Sequence, residues 1–198
     1  MIEQLKRYDA QVTLWINQHN APWLDEVMWF LSSSTPFLLL IFLALFYVIR
    51  KKGFPEMWIF LGFMLLTFAL SDRISVVAFK DVFLRLRPSH QEGLSELLKF
   101  YVQPNGAYYM GGKFGFVSSH AANFCAITTF VILNFKPRPL FFSLLLFVHL
   151  LIIYSRVYLG VHYVGDVLAG SIVGAVLGWV VWKISLLILR NRNPLLSE

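Results

Sequence analysis

The sequence predicts an all-α fold: a polytopic membrane helix bundle of about five transmembrane helices, with an N-terminal amphipathic helix in the interface. Three observations lead there. Of the 198 residues, 58% are hydrophobic and only 14% charged, whereas soluble domains carry about a quarter charged residues. Apolar runs recur near the roughly 20-residue length that a helical span needs. Short basic clusters punctuate those runs at Arg50-Lys51-Lys52, Lys136-Pro137-Arg138, and Arg190 with Arg192.

The elements follow in order. Residues 1–26 form the interfacial segment: Leu5, Val12, Leu14, Trp15 and Ile16 alternate with Lys6, Arg7, Asp9 and Gln11, and Asn20-Ala21-Pro22 breaks the helix. This stretch lacks the apolar core of a cleavable signal. After Asp25 and Glu26, Val27 to Ile49 is free of charge and makes the first span. Within it, Pro36 follows the Ser32-Ser33-Ser34-Thr35 cluster and suits a first helical turn. The second span runs from Met57 to Lys80, interrupted by Asp72 and Arg73. Residues 81–116 are polar, aromatic and broken by Pro88, Pro104 and several glycines, too irregular to face lipid. The third span covers Val117 to Phe135, the fourth Leu140 to Tyr154, and the fifth Val167 to Leu189. Gly170, Gly174 and Gly178 repeat every four residues along the fifth, a stripe that admits a close helix neighbour. Packing within the monomer is favoured over a homodimer seam, and residues 1–198 are read as one domain.

Five spans place the three basic clusters on one side, which the positive-inside rule makes cytoplasmic. Loop 81–116 and the stretch from Ser155 to Asp166 then share the opposite, extracytoplasmic side. The formal charge of +6 is accounted for by topology and anionic lipid rather than by nucleic acid, which is not expected as a partner. The lone Cys125 excludes an internal disulfide.

Ionisable groups at membrane depth are costly and are usually kept for function. The stretch from Ser155 to Asp166 collects several. Were its second half helical, His162 and Asp166 would lie at i and i+4 on one face. The carboxylate would then hold one imidazole nitrogen and free the other as nucleophile or base. The plainer alternative is an ion pair between Arg156 and Asp166, with His162 in an interfacial belt. Lys80 and Arg87 are seven residues apart, two helical turns, and so point the same way if helical. Ser118-Ser119-His120 opens the third span, where backbone N–H groups favour an anion. Fixed cations, hydroxyls and two histidines are what in-line phosphoryl transfer requires without a metal. One neutral histidine attacks phosphorus, and a second, protonated one serves the leaving oxygen. Clustered carboxylates are missing, so neither a metal nor any other cofactor is expected.

Lys80-x6-Arg87-Pro88, then Ser118-Ser119-His120, then Ser155-Arg156-x5-His162-x3-Asp166 resemble the three-part signature of the type 2 phosphatidic acid phosphatase family. That family shares its site with vanadium-dependent haloperoxidases. The resemblance implies that His162 forms a phosphohistidine, Asp166 orients it, and His120 is the general acid. It also implies that Lys80, Arg87, Ser118, Ser119 and Arg156 bind the phosphate, with Ser155 a weaker candidate beside them. Val117 and Ser119 stand where the family usually has Pro and Gly, and the chain has five spans where many bacterial members have six.

The implied substrate is a membrane lipid phosphate or diphosphate, handled at the outer face of the inner (plasma) membrane. Undecaprenyl diphosphate is favoured; lipid A phosphate and phosphatidylglycerol phosphate compete. A phosphotransferase using the same intermediate and a non-catalytic lipid carrier are the rival classes. Outside the signature, His149 reads as a helix-packing residue, His19 and His90 receive no role, and Lys99 and Lys113 read as solvated loop charges. Asp72 and Arg73 form a structural pair or line a cavity. Trp23, Tyr101, Tyr108 and Tyr109 fit an interfacial aromatic belt.

Overall fold

The computed structural model describes residues 1–192 and contains seven helices and, among those residues, no strand. They are α1 (Ile2–Gln18), α2 (Pro22–Ser32), α3 (Thr35–Lys52), α4 (Phe54–Phe83), α5 (Ser119–Phe135), α6 (Pro139–Tyr158) and α7 (Val164–Arg192). Proline in the first turn starts α2, α3 and α6, where its missing N–H costs nothing. Gly53, at φ +96°, ends α3. The α4 helix is locally π-helical over Ser75–Lys80. Ser75 there donates its hydroxyl back to Ser71 O at 2.7 Å, a contact that competes with the regular backbone ladder.

Among the described residues three helices are long and apolar enough to cross a membrane: α4, α6 and α7 over Val164–Leu189. The expected first span is not one straight helix. It bends by 50° between α2 and α3, and the two pass as a fourth span only when taken together. Ser33 and Ser34 sit at the break, where the Ser33 hydroxyl bonds Phe30 O and the Thr35 N–H rather than extending the helix. The third expected span, α5, has 17 residues, about 25 Å against a hydrocarbon core of about 30 Å. Its flanks are protein: Ala121, Ala122, Ala126 and Ile127 have no exposed surface. The fourth and fifth expected spans are both extended toward each other, so Ser155 and Arg156 belong to the last turn of α6. The basic cluster at 190–192 has side chains outside the described ones.

The core gathers Met64 of α4, Phe124 and Phe130 of α5, Ile152 of α6 and Val181 of α7. The α5 and α7 backbones lie so close that a Cβ on Gly170 would come within 2.6 Å of Ser118 O. One on Gly174 would strike Ala122 O, and one on Gly178 would strike Ala126 O. The glycine stripe therefore packs inside the monomer. Gly174→Leu forces these helices apart, so we expect it to cost about 1–3 kcal/mol, read as a lowered thermal midpoint in detergent. His149 is also a packing residue: it is buried, bonds the Ser171 hydroxyl at 2.9 Å and stacks on Phe124.

The N-terminal helix is amphipathic with its apolar side outward. Leu5, Tyr8, Val12 and Trp15 are exposed along one stripe, whereas Thr13 and Asn17 are buried against the bundle. Asn17 clamps the end of α6 and the loop together, donating to Tyr158 O at 2.7 Å and Lys99 O at 2.8 Å while accepting the Lys99 N–H at 2.9 Å. An outward apolar stripe on a helix carrying charges elsewhere suits the membrane interface. Lys99 is not a free loop charge, since it pairs with Asp25 at 2.9 Å. Asp72 and Arg73 form no ion pair among the described residues; Asp72 instead accepts from Asn123 at 3.1 Å.

Candidate active site

Four pieces of chain meet at one end of the bundle: the end of α4, the loop to α5, the start of α5 and the turn between α6 and α7. The loop folds back as an antiparallel ribbon, in which Arg87 N donates to Lys113 O and Gly115 N to Arg85 O. This ribbon, rather than a helix, delivers Arg87. The α4 helix stops at Phe83, and Leu84 takes a left-handed φ of 48°, so the two-turn relation expected between Lys80 and Arg87 does not exist. They converge because the ribbon turns back over the α5 N-terminus.

Lys80 donates to the Ser119 hydroxyl at 2.7 Å. Arg87, 8% exposed, donates from Nε to Phe114 O at 3.2 Å and from Nη1 to Val161 O at 3.3 Å. Gly111, at φ +67°, leaves room for it, since a Cβ there would lie 2.5 Å from Arg87 Nη1. Arg156, 1% exposed, bonds the Ser32 hydroxyl and donates from Nη2 to the Tyr109 hydroxyl at 3.0 Å. Its Nε finds no acceptor among the described residues. A buried guanidinium N–H left without a partner is uncommon in proteins and is a suitable donor to an anion.

Ser118 caps α5 with its hydroxyl on the Ala121 N–H at 3.5 Å, and its own N–H is given to Asp166 O at 3.0 Å. Ser118 is thus fully buried and engaged, while Ser119 turns toward Lys80. Ser155 is buried and bonds Ile152 O within its own helix at 2.7 Å. His120 occupies the first turn of α5 and is accessible.

His162 and Asp166 do meet, but not along a helix face. Gly160, at φ +69°, turns the chain after α6, and α7 begins only at Val164. The imidazole Nδ1 lies 3.4 Å from Asp166 Oδ2, which also accepts the Tyr163 N–H at 3.1 Å. This leaves Nε2 for chemistry. The alternative pairing of Arg156 with Asp166 is not made. Asp166 pairs with Arg85 at 2.8 Å, and Arg85 reaches on to Asp9 at 2.9 Å. Arg85, Asp9, Ser32 and Tyr109 were not legible as neighbours of the site. The only sequence signal was the presence of Arg85 and Asp9 as charges in segments that had no assigned partner.

Burial holds the His162 imidazole well below its ordinary value, reinforced by Arg87, Arg156, Lys80 and His120. Burial and the neighbouring Arg156 likewise bring Arg87 down to about 10, still protonated at neutral pH. A nucleophile whose pKa is depressed stays neutral as pH falls through 6.5. The acid limb of kcat/KM is therefore expected below pH 6.5, checked by a pH–rate profile.

Comparisons with known proteins agree with this geometry. The model of the PAP2 superfamily matches residues 57–189. A lipid A 4'-phosphatase of Porphyromonas gingivalis is 30% identical over 93% of this chain and 76% of its own length. A lipid A 4'-phosphatase of Bacteroides thetaiotaomicron is 32% identical over 93% and 80%. Among solved structures, a PAP2-type phosphatidylglycerolphosphate phosphatase from Bacillus subtilis superposes with a TM-score of 0.69 at 22% identity, covering 93% of this chain and 88% of that one. Aquifex aeolicus LpxE superposes at 0.57 and 23% identity, over 87% and 93%. The chain belongs to the PAP2 superfamily and is a membrane-embedded phosphatase.

Proposed function

We propose that the protein hydrolyses the 4'-phosphate of lipid A at the extracytoplasmic face of the inner membrane. The observation that carries the phosphatase chemistry is the convergence of Lys80, Arg87 and Arg156 around the buried His162. The choice of lipid is supported by the two curated relatives, both named for that activity. The same relatives give no support to undecaprenyl diphosphate, which was favoured by the resemblance alone. The side of the membrane is supported by the clusters at 50–52 and 136–138: Tyr47 and Phe60 both pack on Phe135, so these clusters share the end of the bundle away from His162.

The reaction runs in two displacements. His162 Nε2 attacks phosphorus, the P–N bond forms, and the P–O bond to the sugar breaks as His120 gives its proton to the leaving oxygen. Arg156, Arg87 and Lys80 act against a proton on His120, and the phosphate's own negative charge offsets them to favour the protonated His120 that this step needs. Lys80, Arg87, Arg156 and the Ser119 hydroxyl hold the equatorial oxygens as charge spreads over them. His120, now neutral, takes a proton from water, whose oxygen attacks phosphorus. The P–N bond breaks as this P–O bond forms, inorganic phosphate leaves, and His162 is restored as the neutral imidazole while His120 is again protonated. The phosphate enters from lipid at the boundary, so its acyl chains never leave the bilayer.

Phosphate release by the purified protein across lipid A, undecaprenyl diphosphate, phosphatidylglycerol phosphate and phosphatidic acid tests this reading. A preference for lipid A with loss of its 4'-phosphate is the expected result. Preference for another lipid overturns the substrate, and turnover that requires an added acceptor makes the protein a phosphotransferase. EDTA is expected to leave the rate unchanged, because fixed cations do the work of a metal. A loss reversed by Mg²⁺ refutes that.

A further inference from the structure

Asp9 lies outside the signature and Arg85 is one of the six unspecified residues between Lys80 and Arg87, yet the two complete the surroundings of Asp166. Arg85 lies over the Tyr163 ring, 4.0 Å from its centroid, and divides its guanidinium between two carboxylates. Nη1 donates to Asp166 Oδ1 at 2.8 Å, and Nη2 donates to Asp9 Oδ2 at 2.9 Å. The other oxygen of Asp9 accepts the Gly165 N–H at 3.0 Å, one residue before Asp166. A Cβ on Gly165 would lie 2.7 Å from Asp9 Oδ2, so glycine is what lets the carboxylate approach the α7 N-terminus. These contacts join α1, the loop and α7, segments 76 to 156 residues apart in the chain.

We propose that Arg85 and Asp9 are positioning residues for the reaction, acting through Asp166 on His162. Asp166 has two oxygens to aim. Arg85 takes Oδ1 and so fixes the carboxylate plane, which keeps Oδ2 toward Nδ1 of His162. Asp9 fixes the guanidinium from the far side and ties the interfacial helix α1 to the site. This inference rests on His162 being the nucleophile. The titratable and charged groups that face Asp166 are Arg85, Asp9, Arg87, Lys80, Tyr163 and His162; those facing His162 are Asp166, Arg87, Arg156, Lys80 and His120.

A merely structural bridge and a positioning one predict different things. Without the positive charge of Arg85, Asp166 takes up a proton more readily and any remaining carboxylate charge favours imidazolium. Both effects move the acid limb of activity to higher pH. Without the negative charge of Asp9, the Arg85 charge acts on Asp166 unopposed, and the limb moves to lower pH. A bridge that only holds the fold lowers stability in both variants and leaves the limb in place.

The test uses the purified full chain with Arg85→Met, Arg85→Lys and Asp9→Asn. It follows kcat, KM, the rate of phosphoenzyme formation, the pH profile and the thermal midpoint. Arg85→Met is expected to lower kcat about 10²-fold with KM little changed, and to raise the acid limb. Arg85→Lys should return the limb toward the wild-type position. Asp9→Asn, which is isosteric, should lower kcat less and shift the limb the other way. Limbs that stay in place or move together in Arg85→Met and Asp9→Asn overturn the proposal, even if both variants are less stable. If Arg85→Met does not fold, Asp9→Asn decides: an acid limb moved to lower pH, with the limb of Arg85→Lys near its wild-type position, supports the proposal, and an unmoved or raised limb in Asp9→Asn overturns it. A wild type that forms no phosphoenzyme removes the nucleophile reading itself and this inference with it, a result distinct from altered limbs in the variants.

Discussion

His162→Ala is expected to abolish phosphate release, by at least about 10⁴-fold, and to eliminate the acid-labile phosphoenzyme altogether. The size follows from the mechanism. Without the imidazole, water must attack the phosphate directly, and the rate falls to what cation binding alone achieves. Binding should survive, because Lys80, Arg87 and Arg156 hold their places through contacts that do not include the imidazole: Ser119, Phe114 O, Val161 O and Tyr109. Inhibition by vanadate, a five-coordinate phosphorus mimic, should therefore weaken far less than turnover. Folding should survive too, since the turn is held by Asp166 on the Tyr163 N–H and by Arg156 O on the Val161 N–H. Full activity in this variant would falsify the histidine-nucleophile reading.

The second large effect belongs to His120→Ala. A sugar alkoxide is a poor leaving group, so loss of its proton donor is expected to cost about 10²–10⁴-fold in kcat on the lipid. The penalty should depend on the leaving group. With a nitrophenyl phosphate, whose phenolate leaves without a proton, phosphoenzyme formation should be nearly normal. Its hydrolysis should then become rate-limiting, because the water has lost its base. A burst of nitrophenolate followed by a slow steady rate is the pattern to look for. An equal loss of burst rate on both substrates would move His120 from proton transfer to phosphate binding.

The two variants separate the roles because the two histidines are held differently. His162 is locked in a turn at 1% exposure and touches Asp166. His120 stands accessible on the first turn of α5, close enough to Arg156, Arg87 and Lys80 to be acted on by all three charges. One arrangement suits a fixed nucleophile, the other a group that must exchange protons with water.

Several features were readable from the chain alone. Helical content, the apolar runs and the basic clusters follow from transfer energies summed over neighbouring residues, so α4, α6 and α7 were found with only their ends misplaced. The glycine stripe announced a close helix contact and met one in α5. His149 was rightly read as packing. The fold brings residues of all three motifs to one end of the bundle.

What the chain alone could not decide is who pairs with whom. Asp166 faces Arg85 rather than Arg156, Ser118 is spent on capping and on Asp166 O, and Arg87 arrives on a ribbon instead of a helix. The straight first span became two helices at an angle, because Ser33 found local partners for its hydroxyl. Composition and periodicity are properties of a few neighbouring residues, and they determined that this is a helical membrane protein; the phosphatase reading came from the resemblance of its three short motifs. The partner of a buried charge is chosen by competition among groups distant in sequence, as Asp9, Arg85 and Asp166 illustrate, and only the packed tertiary structure resolves that competition.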